Sequence, residues 1–490
     1  MNDEILEGVL DEFKKLAEIP RPSKHEEKIS AHLQQDLIKF GFDVTQDKLK
    51  NLIVDVPASD GKENAPLTIL QSHMDMVCVA EKGYDFDPLT SPIKLLRDEK
   101  FLTAEGTSLG ADDGIGIAII LYIVKNLFEG KFEDVQHGPL RLIFTVDEES
   151  GMNGAININK EHFEDAQFMI NCDSENFNDI VVGSAGNFRI DFTREIDFVK
   201  TENFSSAFKI KVGGLRGGHS GIEIDDNRAN AIKVLAKVLR ELNLRGNIQL
   251  AEIGGGTATN VIPSESTAVI MTDLNLDDVK NICDEVAAQI KRIFIDEVNL
   301  KVDVDEVDTP EKVFSAEDFK SLMNLLTLIH SGVYELSATL PKTVISSANL
   351  GMIRTDDKIT VKLMPRSNVD ELFTEIETLN KTIARLTNFD ITFNTYSPAW
   401  NFKPDGKLAK IAAKIFKRQN KIAAQVKIIH AGLECSHFVE KNPELDIISI
   451  GTTNEFIHNT KERLHLDTVT PQVNLIVEIL RELGSISNEK

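Results

Sequence analysis

Three short apolar runs in this chain each break off into a cluster of acids, amides or histidine, and that pattern constrains the fold more than any other feature. Residues 67–70 lead into Gln71-Ser72-His73-Met74-Asp75. Residues 140–146 lead into Asp147-Glu148-Glu149, and residues 168–170 into Asn171-Cys172-Asp173-Ser174-Glu175. Apolar runs of this length between polar loops predict buried strands. In open α/β sheets the loops beyond the carboxyl ends of the strands form the ligand crevice. Gly110-Ala111-Asp112-Asp113-Gly114 lies between the first two runs, directly ahead of a long apolar helical pattern. One rim would then gather His73, Asp75, Asp112, Asp113, Glu148, Glu149 and Asp173. So many carboxylates repel one another in a partly desolvated site unless cations offset them. The pattern predicts a metal site holding two ions.

The elements around these runs alternate. Ile5, Leu6, Val9, Leu10, Phe13, Leu16 and Ala17 follow helical spacing. A second helix is predicted from Ser23, with Glu26 three residues on as a capping box, to Gly41. Strands are expected at 51–56 and 66–70, and a buried helix at 114–128. β and α elements in alternation predict a mostly parallel sheet. The character changes after Gly186, where Phe208, Ile210 and Val212 alternate with polar residues as in a half-exposed strand. Helices near 230–242, 276–295 and 371–386 share this region with strands near 248–253, 266–272, 349–352, 359–364 and 389–395, as in an antiparallel α+β domain. The buried pattern returns after Pro398, with a strand at 445–450 and a helix at 473–483. The predicted architecture is α/β: a discontinuous catalytic, metal-binding domain (1–186 and 397–490) interrupted by an inserted antiparallel lid or dimerisation domain (187–396).

At 490 residues the chain exceeds a single core. Its 78 acidic and 54 basic residues give a formal charge of −24. That balance argues against nucleic acid, whose binding rests on Lys and Arg neutralising phosphates. The longest apolar stretch, 115–124, is about half of what spans a bilayer, so no membrane partner is expected. Cys78, Cys172, Cys283 and Cys435 form no C-x-x-C pair and read as free thiols in a reducing compartment. The acidic N-terminus enters a helix without the pattern of a signal peptide. The expected location is the cytoplasm.

Each candidate also has a plainer reading when taken alone. His73 and Asp75 stand two apart at a strand end and share a face, so Asp75 can hold the imidazole of His73; a solvated strand end reads the same way. Asp113 also fits an N-cap of the following helix. Of the neighbours Glu148 and Glu149, one can bind metal while the other serves as general base. The loop 452–462 adds His458, whereas His465 reads as structural. Glu434-x-x-His437 and Glu455-x-x-His458 have the spacing of di-iron bundles, but both lie in loop sequence rather than long amphipathic helices. Gly114-x-Gly116 and Gly254-Gly255-Gly256 lack the rest of any nucleotide fingerprint. Gly217-Gly218-His219-Ser220-Gly221 puts a histidine in a glycine loop, and Asn260 and Arg366 are candidates to anchor a substrate.

Taken in order, the stretches QSHMDMV, GTSLGADDGIGIA, TVDEESGMNGA, NCDSE, GGHSG, IIHAGLEC and IHNTKE resemble the co-catalytic di-zinc exopeptidases, the family of carboxypeptidase G, peptidase T and acetylornithine deacetylase. The likeness is strongest to the aminoacyl-histidine dipeptidase branch, the carnosinase-like cytosolic dipeptidases. The resemblance implies that His73 and Asp173 bind one ion and Glu149 and His458 the other, with Asp112 bridging them ahead of a cis peptide to Asp113. It implies Asp75 orienting His73, Glu148 as general base, and His219 reaching the partner subunit's site in a homodimer to stabilise the oxyanion. Asn260 and Arg366 would bind substrate, the arginine through the C-terminal carboxylate. The expected function is metal-dependent hydrolysis of dipeptides, Xaa-His among them. Zinc is the expected metal, with manganese or cobalt as alternatives. The competing readings are an N-acyl amino acid deacylase or aminotripeptidase of the same fold, and a metal-binding protein without catalysis. Two departures stand out: the His458 loop reads His-Asn-Thr-Lys-Glu where His-Ser-Pro-Asp-Glu is expected, and Ser436-His437 stand where the branch often has glycine.

Overall fold

The computed structural model describes residues 2–486 apart from 133, 202–203, 205, 339 and 341. Two compact units result. The first comprises Met1–Gly183, Trp400–Ile428 and Leu433–Lys490; the second comprises Ser184–Ala399 and Ile429–Gly432. The assignment of Ile429–Gly432 to the second unit is a return that no composition shift announces.

The first unit is built on an eight-stranded sheet. Its strands are β1 (Asp43–Gln46), β2 (Leu52–Val56), β3 (Thr68–His73), β4 (Leu140–Thr145), β5 (Phe168–Asn171), β6 (Asp179–Ser184), β7 (Gln425–Ile429) and β8 (Asp446–Ser449), in the spatial order β1-β2-β4-β3-β5-β8-β6-β7. The pairs β4–β3, β3–β5 and β5–β8 are parallel, while β1–β2, β2–β4 and β8–β6 are antiparallel. The parallel centre explains why these strands read as unbroken apolar runs: every residue of β3 and of β5 is buried, as on a sheet covered on both faces. Register then sets the rim. His73 stands opposite Thr145, Gln71 opposite Asn171, and Asn171 opposite Ser449. The four parallel strands therefore end level, and the residues following them emerge on one edge.

Helices α1 (Asn2–Ala17), α2 (Glu27–Lys39), α3 (Ala111–Phe128), α4 (Lys407–Asn420), α5 (Cys435–Lys441) and α6 (Val469–Gly484) are the longer helices of this unit. α3 is buried almost all round, with Ile115, Ile117, Ile119, Ile120 and Val124 in one core with Phe13 of α1 and Val473 of α6. This is why its sequence lacks a polar face.

The expected capping box at Ser23 is not formed. α2 starts at Glu27, and its N-cap position makes no side-chain bond. Ser23 Oγ instead donates to Asp75 Oδ2 at 2.8 Å, and Glu26 Oε1 accepts from the amides of Lys24 and Asp147. Long-range partners at the rim have taken the groups that local spacing assigned to the helix end.

The second unit is a mainly antiparallel sheet. From edge to edge it runs Lys301–Glu306, Ser206–Gly213, Ser266–Thr272, Ile248–Gly255, Val344–Thr355, Lys358–Ser367, Gly186–Glu195 and Asp390–Ser397. Phe188, Ile190 and Phe192 alternate with half-buried neighbours, and their buried face joins one core with Leu235, Ile282 and Leu322 of three helices. Among the described residues, no helix is long and apolar enough to cross a membrane.

Candidate metal centre

The site at the rim of the first unit is organised by two residues that sequence patterns did not single out. The guanidinium of Arg21, almost fully buried, donates to the carbonyls of Met74, Asp75 and Gly110. Glu462 accepts from the amides of Leu109, Gly110 and Ala111 at 2.8, 3.0 and 2.8 Å. Between them they fix the end of β3 against the turn that opens α3. Gly110 sits at φ +70, where a side chain would also strike Met76 and Arg21. The peptide from Asp112 to Asp113 is cis.

This framework holds the Asp112 carboxylate between two histidines. Oδ1 lies 3.1 Å from His73 Nε2 and Oδ2 lies 3.1 Å from His458 Nε2. His73 Nε2 is also 3.4 Å from Asp173 Oδ1, and His458 Nε2 is 2.9 Å from Glu149 Oε1. On the far side of the His73 ring, Nδ1 faces Asp75 Oδ1 at 3.4 Å. Asp75 also accepts from the amides of Glu148 and Glu149 at 3.0 and 3.1 Å. One carboxylate thus fixes both the His73 ring and the short helix Glu148–Gly151. Ligating atoms of His73, Asp113 and Asp173, of His73, Glu148 and Glu149, and of Asp112, Glu149 and His458 cluster within 4.8 Å. Asp113 is otherwise engaged: its carboxylate accepts from Ser72 Oγ and lies against Gly116, on the inner side of the turn.

The electrostatics match this crowding. Burial raises Glu148 well above the usual carboxylate range and Asp173 to about 7. Burial opposes charge on His458, yet Asp112 and Glu149 hold its imidazole up to about 11. His73 is likewise raised, against burial, by Asp173 and Asp112. Protons on the two imidazoles stand where a richer positive charge would balance the carboxylates better. Two imidazoles and several carboxylates around a shared aspartate are a donor set that fits divalent transition metals.

The remaining predicted residues lie in the second unit. His219 pairs with Val261 across a short bridge, and its Nδ1 accepts from the amides of Gly221 and Ile222 at 3.2 and 3.1 Å. The ring proton is therefore on Nε2. Burial, with Arg366 nearby, lowers His219 to about 4, so the ring is a neutral donor. The carbonyl of Asn260 accepts from the Ser220 amide at 2.9 Å, and the Asn260 side chain is exposed. Arg366 stands opposite Ser347 in the ladder, is 5% exposed, and leaves its Nε unpaired. Burial without a carboxylate partner lowers it to about 10. Ser347 Oγ also meets His430 Nε2 at 2.7 Å, a contact that sequence reasoning did not anticipate.

A parallel-centred α/β sheet with such a donor set on the carboxyl rim defines a metal-dependent hydrolase. Residues 69–482 match the model of peptidase family M20/M25/M40. The chain is 32% identical to the cytosol non-specific dipeptidase of Escherichia coli (strain K12) over 482 residues, covering 96% of this chain and 97% of that one. It is 27% identical over 267 residues to carboxypeptidase G2 of Pseudomonas sp. (strain RS-16), covering 53% of this chain and 58% of that protein. Among solved structures, the aminoacylhistidine dipeptidase of Vibrio alginolyticus superposes with a TM-score of 0.87 at 30% identity, covering 97% and 96% of the two chains. The chain belongs to peptidase family M20/M25/M40 and is a peptide-bond hydrolase.

Proposed function

We propose that this protein is a cytoplasmic, homodimeric dipeptidase that uses two divalent ions, zinc by first choice, and accepts Xaa-His among its substrates. The observation that carries the reading is Asp112, which offers one oxygen toward His73 and the other toward His458. In this reading His73 and Asp173 would hold one ion and Glu149 and His458 the other, with Asp112 shared between the two sets. When bound, the ion pair would acidify the attacking water and polarise the scissile carbonyl. Glu148, the carboxylate beside Glu149 that the metal sites leave over, takes the proton of that water and returns it to the leaving amine. Asp75 keeps the His73 ring and the Glu148 backbone in one geometry. The neutral Nε2–H of His219, reaching the partner subunit's site, donates to the oxyanion. Arg366, lacking a carboxylate of its own, takes the C-terminal carboxylate of the dipeptide, and Asn260 helps to bind the substrate. The two dipeptidase likenesses, each spanning nearly the whole chain, support this substrate class.

The test is release of free amino acid from Ala-His, carnosine, Leu-Gly, a tripeptide and an N-acylated amino acid, before and after chelation and after zinc is returned. Dipeptide cleavage that disappears on chelation and returns with metal is the expected result. Fully metallated protein that cleaves only the tripeptide, or only N-acylated amino acids, would overturn the dipeptidase reading.

A further inference from the structure

Glu434 stands at the N-cap position of α5 but makes no side-chain cap there. It is completely buried and turned toward the sheet. Its Oε2 accepts from Gln71 Nε2 at 2.6 Å and from Thr145 Oγ1 at 2.8 Å. Gln71 Nε2 also reaches Thr145 Oγ1 at 3.1 Å, and Gln71 Oε1 accepts from Asn171 Nδ2 at 2.6 Å. Gln71, Thr145 and Asn171 are all 0% exposed and lie near the ends of β3, β4 and β5. Each precedes a site residue by two or three positions: His73, Glu148 and Asp173. One wholly buried polar network therefore underlies three of the segments that build the metal centre.

Two acceptor oxygens in this network have no partner, Glu434 Oε1 and Asn171 Oδ1. Among the described residues, Glu434 forms no ion pair with Lys, Arg or His. The titratable groups that face it are His73 and Asp75 at the end of β3, Glu148 after β4 and Asp173 after β5, with Cys435 on its own helix. Three of these are carboxyl groups. A carboxylate ion with only neutral hydrogen-bond partners in a dry interior is far costlier than the neutral acid. Burial accordingly brings the Glu434 carboxyl up to about 8.

We propose that Glu434 is a neutral carboxylic acid in the working enzyme and a positioning residue for its metal centre. It ties the ends of β3 and β4 together through Gln71 and Thr145. Ionised, it would push Glu148 toward its protonated form and so weaken the general base. This inference goes beyond the dipeptidase reading, and its first test does not depend on any substrate.

That test is infrared difference spectroscopy on the metal-loaded enzyme at neutral pH, wild type against Glu434→Gln. The expected result is a C=O band of a protonated acid in the wild type that the variant lacks; no such band would overturn the proposal. Kinetics supply the second test, on the best substrate found. Glu434→Gln keeps an acceptor for Gln71 and a donor at the Oε1 position, and is expected to retain kcat and KM within about threefold. Its kcat should also lose any alkaline decline that Glu434 ionisation imposes on the wild type. Glu434→Leu removes the acceptor that Gln71 Nε2 and the Thr145 hydroxyl share, and is expected to lower kcat at least tenfold with KM little changed. A Gln variant as impaired as the Leu variant would show that the charge is needed and sink the proposal. Should the Leu variant fail to fold, the Gln spectrum and kinetics still decide it.

Discussion

Arg21→Met is the perturbation whose cost the structure fixes most directly. The side chain volume is nearly kept, but the buried carbonyls of Met74 and Asp75 lose their guanidinium donors, while that of Gly110 keeps the amide of Gly114 at 3.3 Å. A stranded buried polar group costs about 1–3 kcal/mol. Two of them, less the desolvation recovered by removing a buried cation, come to about 3 kcal/mol. For a unit of this size each kcal/mol moves the midpoint by about 2–4 °C, so a fall of about 10 °C is expected. The measurement is thermal and urea unfolding of chelated and zinc-loaded protein, followed with metal titration. Metal affinity should weaken about 10–100-fold, because the guanidinium joins the strand end bearing His73 and Asp75 to the turn bearing Asp112. Arg21→Lys, with donors on a single nitrogen, should fall between wild type and Met. A loss below about 1 kcal/mol would refute the reasoning, since it would mean the carbonyls of Met74 and Asp75 find other donors without cost.

The other expectations are simpler. Glu148→Gln should keep fold and metal content and lose about 10²–10⁴ in kcat; retained turnover would reject it as the base. Metal binding should release protons at pH 7, because the metal-free site holds His73 above its ordinary value and His458 up to about 11, and each must be neutral to bind an ion. Apparent affinity should therefore rise with pH, by up to about tenfold per unit for each proton displaced. Calorimetry in two buffers of different ionisation enthalpy reads the number, and zero would contradict the site's electrostatics. Gly114→Ala puts a methyl 2.5 Å from Arg21 Nη2 and 3.0 Å from the Phe13 ring, and should cost about 1–3 kcal/mol in urea unfolding. Mixed dimers of Glu148→Gln and His219→Ala chains should regain activity that neither homodimer has, and failure to do so would argue against a site completed in trans.

What could be read from sequence was whatever depends on neighbours along the chain. The apolar runs at 67–70, 140–146 and 168–170 became buried strands because length and flanking polarity carry that information locally. Parallel pairing then brought their ends level, so His73, Asp112, Glu149 and His458 could be collected from four separate clusters. The capping box failed by the same logic. Ser23 and Glu26 have the right spacing, but Asp75 and the Asp147 amide, far along the chain, compete for those groups and win. The helices Ala316–Leu328 and Lys407–Asn420 and the strand Leu95–Arg97 were also not foreseen. The strand is three residues long, too short to show a period.

The residues that escaped sequence reading share one property: their partners lie far along the chain, beyond the reach of any local pattern. Glu462 meets the turn at Leu109–Ala111 across about 350 residues, and Glu434 meets Gln71 across 363. No local period can signal such a meeting. The acids Asp173, Glu148, Glu462 and Glu434 carry nearly the same chemistry in the sequence, yet each does a different thing because its partners differ. Asp173 faces an imidazole, Glu462 faces backbone amides, and Glu434 faces an amide side chain and a hydroxyl. Facing an imidazole, an acid can share a metal; facing amides, it can fix a turn. Facing only neutral donors in a dry interior, it does best to give up its charge, and that is why one acid of this rim is assigned a proton.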